Sequence, residues 1–202
     1  LKPVSKWRGT EKITVAYGYG FASTSLQLIS AVNVIANNGT YVAPRIVSGT
    51  IDKSGKLRSN EPSSTRPVLT QTTATQMNLM MRDVVCFGTG TLAKIPGMTV
   101  AGKTGTGYKV QRDGTYGSDT TGRKYFASFV GFLPAEDPQV TILVSIDEPD
   151  SSSRDRFGGT AAAPVFSEVG SFVARELRIR PAATTQPCAK VDPYAREGEA
   201  GH

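Results

Sequence analysis

The run Ala101-Gly102-Lys103-Thr104-Gly105-Thr106-Gly107 sets one lysine and two threonine hydroxyls among glycines. An ammonium beside hydroxyls stabilises developing negative charge and helps move a proton, while the hydroxyls donate to a carboxylate; these are the groups an acyl-transfer site needs. The same letters satisfy a phosphate-cradle pattern, because Gly97 to Thr104 reads G-x-x-x-x-G-K-T. Downstream, Ile142 to Ile146 runs into Asp147 and Glu148 in the manner of a magnesium-binding second motif. A phosphate cradle, however, requires a supple loop and a helix opening near the lysine, so that amides and the helix N-terminus face the anion. Pro96 ahead of the loop, β-branched Thr99 and Val100 within it, and Gly105 and Gly107 beyond it oppose that geometry. The segment is predicted instead to be a strand, Thr99 to Thr106, carrying K-T-G.

Other chemistries are narrowed by what the chain lacks. Its one histidine is His202, at the very end, which excludes a histidine-dependent triad or a conventional zinc site within the chain; no metal or other cofactor is expected. The net charge of +6 attracts anionic surfaces. The charges are scattered, with no basic run interleaved with aromatics, so nucleic acid is not expected as a partner. No apolar run approaches the roughly 18 residues of a membrane span, and no signal peptide opens the chain. Cys86 falls in an apolar helical pattern and Cys188 in a polar tail, so both are expected free, Cys86 as a small core residue.

The elements that must position Lys103 follow from periodicity and caps. Residues 1–19 read as loop. A helix is predicted over Thr24 to Asn37, with Ser23 or Thr24 as N-cap, Leu26, Ile29, Val32, Asn33 and Ile35 on one face, and Asn38-Gly39 closing it. Tyr41 to Ile51 is β-like, Asp52 to Lys56 a turn, and the stretch around Leu57 a short returning strand. Thr70 caps a helix over Thr73 to Val85 with an apolar stripe of Met77, Met80, Met81, Val84 and Val85. Tyr108 to Lys124 is a polar loop long enough to shape substrate entry. Tyr125 to Leu133 and Val140 to Asp147 are strands, and a helix over Ala162 to Leu177 covers one sheet face through Val165, Phe166, Val169, Phe172, Val173 and Leu177. The fold class is α+β, an antiparallel sheet flanked by helices, with residues 1–180 forming the folded part and residues 181–202 a disordered tail.

Five blocks then occur in one order. Tyr17-Gly18-Tyr19-Gly20 with the helix from Ser25 to Asn38 precedes Gly88-Thr89-Gly90-Thr91-Leu92-Ala93 and Lys103-Thr104-Gly105-Thr106; Phe126 to Pro134 and Phe157-Gly158-Gly159 through Phe166 follow. Together they resemble the C-terminal part of the transpeptidase domain of class B penicillin-binding proteins, closest to the cell-division branch, over about Leu1 to Ile179. The resemblance implies a serine β-lactamase/penicillin-binding transpeptidase-like fold that cross-links peptidoglycan stem peptides through an acyl-enzyme and is blocked by β-lactams. It implies work at the extracytoplasmic face of the bacterial membrane, with an anchor upstream and division membrane proteins as possible partners. It also implies catalytic roles for Lys103 and Thr106, whose backbone N–H would be an oxyanion donor, and substrate-binding roles for Thr104, Gly105, Thr106, Tyr125, Phe157 and Gly158. Strict alternation puts Lys103 and Gly105 on one face of a strand and Thr104 and Thr106 on the other. All reach one cleft only from an edge strand.

The family attacks with serine in S-x-x-K and relays protons through S-x-N, and this chain contains neither. Ser5 and Ser63 are followed three residues on by arginine, Thr91 by Lys94, and Ser30-Ala31-Val32-Asn33 has one residue too many. The nucleophile is therefore expected on an N-terminal remainder of the domain. Three readings stay open: part of a D,D-transpeptidase, part of a D,D-carboxypeptidase, or a non-catalytic scaffold module.

Overall fold

The computed structural model describes residues 3–16, 18, 20, 22–118, 122–150, 154–180 and Cys188. Tyr17 and Tyr19 of the first family block, and the tail from 181 apart from Cys188, lie outside the described residues.

The N-terminal stretch is more ordered than its composition suggests. A 3₁₀ turn at Val4–Lys6 leads to a short helix α1, Glu11–Ala16, where the Glu11 side chain reaches back to accept from the Arg8 N–H. Helix α2, Ser25–Ala36, starts as predicted: the Thr24 hydroxyl accepts from the Gln27 N–H, and the Gln27 side chain accepts from the Thr24 N–H. Its most buried residue is Val34, which lies outside the predicted face, while Leu26 of that face remains 53% exposed. The helix touches the core with its C-terminal half, where Val32, Ile35 and Ala36 pack.

The β-like stretch after α2 divides between two ribbons. Strand β1, Thr40–Val42, pairs antiparallel with β4, Thr65–Pro67, while β2, Gly49–Ile51, and β3, Leu57–Ser59, form the predicted hairpin with Ile51 opposite Leu57. Asp52 closes that turn by accepting from Ser54 and Lys56, which holds its carboxyl below the usual range. Helix α3, Gln71–Cys86, opens on the Thr70 hydroxyl, which accepts from the Thr73 N–H.

The central sheet has the order β5-β6-β7 and is antiparallel throughout: Ala101–Tyr108, Tyr125–Leu133 and Val140–Asp147. The K-T-G strand starts two residues later than predicted. Thr99 lies outside it, buried, with its hydroxyl donating to Glu136 and accepting from the Ala135 N–H. One face of the sheet packs Phe132 and Ala101 against Met81 of α3 and against α2. On the other, Phe129 and Leu133 meet helix α4, Ala163–Glu176, through Phe166, whose ring stands edge-on to Phe129 at 4.7 Å. Burying each of these rings contributes about 2–3 kcal/mol.

The buried face of helix α4 shares Phe166 with the predicted stripe and otherwise differs from it. Ala163, Phe166, Gly170 and Ala174 are buried, while Val165, Val169, Phe172 and Leu177 stay 39–61% exposed. Close approach decides the contact: a Cβ on Gly170 would sit 2.6 Å from Ile95 Cδ1, so the small residues face inward.

The cysteines also correct the expectation. Cys86, at the end of α3, is bonded to Cys188 across 102 residues of sequence. After α4, Ile179 packs against the same cluster as Val85, so the chain leaving α4 already lies near Cys86. Sequence separation alone hides that proximity.

Candidate active site

Lys103 lies on β5, an edge strand of the three-stranded sheet. This excludes the phosphate cradle: Gly102, Lys103 and Thr104 sit inside a strand, with no helix opening at the lysine. Gly102 instead serves packing, since a Cβ there would fall 2.4 Å from the Phe129 ring.

Register decides which groups of β5 are available. Thr104 is paired with Phe129, Thr106 with Ala127 and Tyr108 with Tyr125, so these side chains share the α4 face; Lys103 and Gly105 project to the other. The Lys109 N–H donates to the Lys124 carbonyl at 2.9 Å, one step beyond the Tyr108–Tyr125 pair. In antiparallel alternation the odd residues of β5 therefore bond across to β6, and Thr104 and Thr106 turn their N–H and C=O groups away from it. Lys103 bridges the two faces over that edge. Its ammonium donates to the Thr104 carbonyl at 3.0 Å and approaches Thr104 Oγ1 at 3.4 Å.

The predicted substrate residues converge here, held by two glycine-rich turns. Thr106 Oγ1 accepts from the Gly158 N–H at 3.0 Å. Gly158 opens a π-helical turn, Gly158–Ala162, ahead of α4, and a Cβ on it would lie 2.4 Å from the Gly105 carbonyl and 2.3 Å from that of Ser128. No other residue permits that approach. Thr104 Oγ1 lies 2.7 Å from Thr89 Oγ1, in the turn after α3. Tyr125 is buried, its ring edge-on to Tyr108 at 5.4 Å and to Phe157 at 6.0 Å, while Phe157 remains 42% exposed at the rim. Arg156 stacks over both Tyr125 and Phe157, at 5.5 and 4.9 Å from the ring centroids. Tyr125 is thus packed into the wall of this cleft, and Phe157 is left partly exposed at its rim.

Sequence reasoning named Thr89 only within a block and missed Tyr108 and Arg156. Thr89 stands between two glycines, a signal of a tight turn near other backbone. Tyr108 and Arg156 carry no local signal, since their partners are distant in sequence. At the far end of β5, Lys109 bonds Asp147 and Glu148, and Lys124 bonds Glu148, at 2.7–2.8 Å. The bonds from Lys109 and then Lys124 hold the Glu148 carboxyl down to about 2, and Asp147 and Glu148 raise Lys109. This cluster ties both ends of the loop between β5 and β6 to the end of β7. Among the described residues no group of histidine, cysteine or acidic side chains is arranged to hold a metal ion.

The model of the penicillin binding protein transpeptidase domain matches residues 2–170 of this sequence. The chain belongs to this family. Stage V sporulation protein D of Bacillus subtilis is 34% identical over 183 residues, a match that covers 90% of the chain and 27% of that protein. PbpB of Mycolicibacterium smegmatis is 33% identical over 187 residues, covering 89% and 28%. Among solved structures, the transpeptidase domain of Burkholderia pseudomallei penicillin-binding protein 3 superposes with a TM-score of 0.74 at 34% identity, over 91% of the chain and 51% of the other. Penicillin-binding protein 3 of Mycobacterium tuberculosis, complexed with ampicillin, gives a TM-score of 0.80 at 27% identity, over 94% and 43%. The chain thus spans between a quarter and a third of the length of these curated relatives. The predicted fold class holds: the relatives carry the transpeptidase domain, and the helices and antiparallel sheets here are α+β.

Proposed function

We propose that residues 1–180 are the C-terminal portion of a peptidoglycan D,D-transpeptidase domain, and that they supply its substrate-binding strand while an N-terminal remainder supplies the serine. The observation that carries this is the open edge of β5, where the Lys103 ammonium folds onto Thr104 beside an outward-facing Thr106 amide. A stem peptide or a β-lactam lies along that edge as an added strand, its backbone close to Gly105. The hydroxyls of Thr104 and Thr106 donate to its carboxylate. Serine Oγ then bonds to the acyl carbon, the carbon–nitrogen bond breaks, and the proton lost by serine passes to the departing nitrogen. Lys103 stabilises the charge in that transfer, and the Thr106 N–H receives the oxyanion, a donor worth roughly 3 kcal/mol in such sites.

Transfer to an amine rather than to water is favoured by relatives such as PenA of Neisseria flavescens, named a probable peptidoglycan D,D-transpeptidase. Binding of β-lactams is supported by the Mycobacterium tuberculosis structures with aztreonam and ampicillin. The Cys86–Cys188 disulfide supports an oxidising, extracytoplasmic site of action. No helix among the described residues is long and apolar enough to cross a membrane. An upstream membrane anchor and contact with division membrane proteins complete the proposed reading.

The test is Lys103→Ala in the full-length protein, read as the second-order rate of acylation by a fluorescent penicillin. A fall of about a hundredfold is expected from losing a positioned proton-handling group. An unchanged rate overturns the assignment of Lys103. With a stem-peptide donor and an amine acceptor, cross-linked product marks the transpeptidase, hydrolysed donor alone a carboxypeptidase, and no turnover a scaffold module.

A further inference from the structure

Thr104 cannot bind an anion merely by being near it. A threonine hydroxyl has a single proton, and Thr104 has two neighbours competing for its geometry: Lys103 Nζ at 3.4 Å from its oxygen and Thr89 Oγ1 at 2.7 Å. An ammonium only donates, so toward Lys103 the Thr104 oxygen can only accept. The direction of the Thr89–Thr104 bond is then decisive. If Thr104 donates to Thr89, its proton is lost to any ligand. If Thr89 donates, the Thr104 oxygen accepts from both sides and its own proton turns outward, more strongly polarised for an acceptor on the open side of the strand.

The turn that carries Thr89 is fixed from three directions. The Gly88 and Gly90 N–H groups donate to carbonyls at the end of α3, Gly88 to Asp83 and Val84 and Gly90 to Val84, at 2.9–3.2 Å. A Cβ on Gly90 would lie 3.0 Å from the Phe129 ring, and one on Gly159 only 2.3 Å from the Thr89 carbonyl. Thr89 is exposed and belongs to neither hydrophobic cluster, so the packing of the core does not account for its position. Its hydroxyl is presented to Thr104 by a turn without room to relax.

We propose that Thr89 is a positioning residue for the acyl donor's carboxylate: it donates to Thr104 and thereby commits the Thr104 proton to the ligand. This rests on the carboxylate-binding role of Thr104 given above. The inference concerns ground-state binding, so its effect falls on the dissociation constant of the donor before acylation, and the acylation step itself is left nearly intact.

The experiment is stopped-flow acylation of the full-length protein by a penicillin and by its neutral methyl ester, which separates binding from the chemical step. Thr89→Val is expected to weaken binding of the carboxylate form about fivefold, the scale of one net hydrogen bond, and to leave the ester unaffected. Thr89→Ser is expected to restore wild-type binding, and Thr89→Val is expected to add nothing in a Thr104→Val background. Equal losses for acid and ester, failure of serine to rescue, or an undiminished effect without the Thr104 hydroxyl would each overturn the role of Thr89. If Thr104→Val itself fails to distinguish acid from ester, the carboxylate-binding role of Thr104 falls, and the inference with it. If Thr104→Val distinguishes them and Thr89→Val does not, only the inference falls.

Discussion

Gly158 shows how one absent side chain holds the site together. Its backbone lies against Gly105 and Ser128, and its N–H donates to Thr106, so it joins the turn before α4 to the K-T-G strand. Gly158→Ala forces a methyl group against two carbonyls and is expected to destabilise the fold by about 1–3 kcal/mol, with a further loss of acylation because Thr106 moves. Thermal unfolding and acylation rates measured together check this; a variant with native stability and native rate contradicts it. At this scale the sequence was informative where chemistry is local. K-T-G and F-G-G are legible because their residue types are unusual together. The Thr89–Thr104 pair and the stacking of Arg156 on Tyr125 were not legible, because each joins residues from elements whose approach only the fold decides.

At the scale of elements, the loop between β5 and β6 is clamped by charge. Glu148 adopts a left-handed backbone conformation, φ 53°, and is held there by Lys109, Lys124 and the bond from its N–H to the Tyr125 carbonyl. A carboxyl whose folded pKa lies below its unfolded one stabilises the folded arrangement above the unfolded value and loses that contribution as pH falls. For Glu148 the window runs from 4.5 down to about 2. Lys109 has the opposite sign: its contribution is present below 10.5 and is lost as pH rises through its raised folded value. The protection factor of the Lys109 N–H, its exchange measured against the intrinsic rate at each pH, is therefore expected to fall between pH 4.5 and about 2, and Lys109→Met is expected to lower it already at neutral pH. A protection factor that does not change across this window in the wild type, or is unchanged in the variant, contradicts the clamp. The boundaries of β6 and β7 were legible in the sequence, because alternation and the Pro134 and Pro138 turns punctuate them. The face of α4 was misread because hydrophobic periodicity favours large residues, whereas helix-on-sheet contact here required small ones.

For the molecule as a whole, two features set behaviour. The Cys86–Cys188 bond closes a loop of 102 residues, which by chain entropy contributes on the order of 4 kcal/mol. Reduction is expected to lower the midpoint of thermal unfolding by about 10 °C, and an unchanged midpoint contradicts a stabilising bond. The second is the division of labour proposed above. The sheet ends at β7 on one side and at the K-T-G edge on the other, and the sequence supplies the lysine, the hydroxyls and an outward amide, but neither S-x-x-K nor S-x-N. That division is the reading proposed above, suggested by the order of the motifs in the sequence. The most direct test is intact-mass analysis after exposure to a fluorescent penicillin, made on this chain alone and on the full-length protein. The account predicts no adduct on the chain alone and one adduct on the full-length protein, at a serine outside these 202 residues. An adduct on any residue of this chain would contradict it.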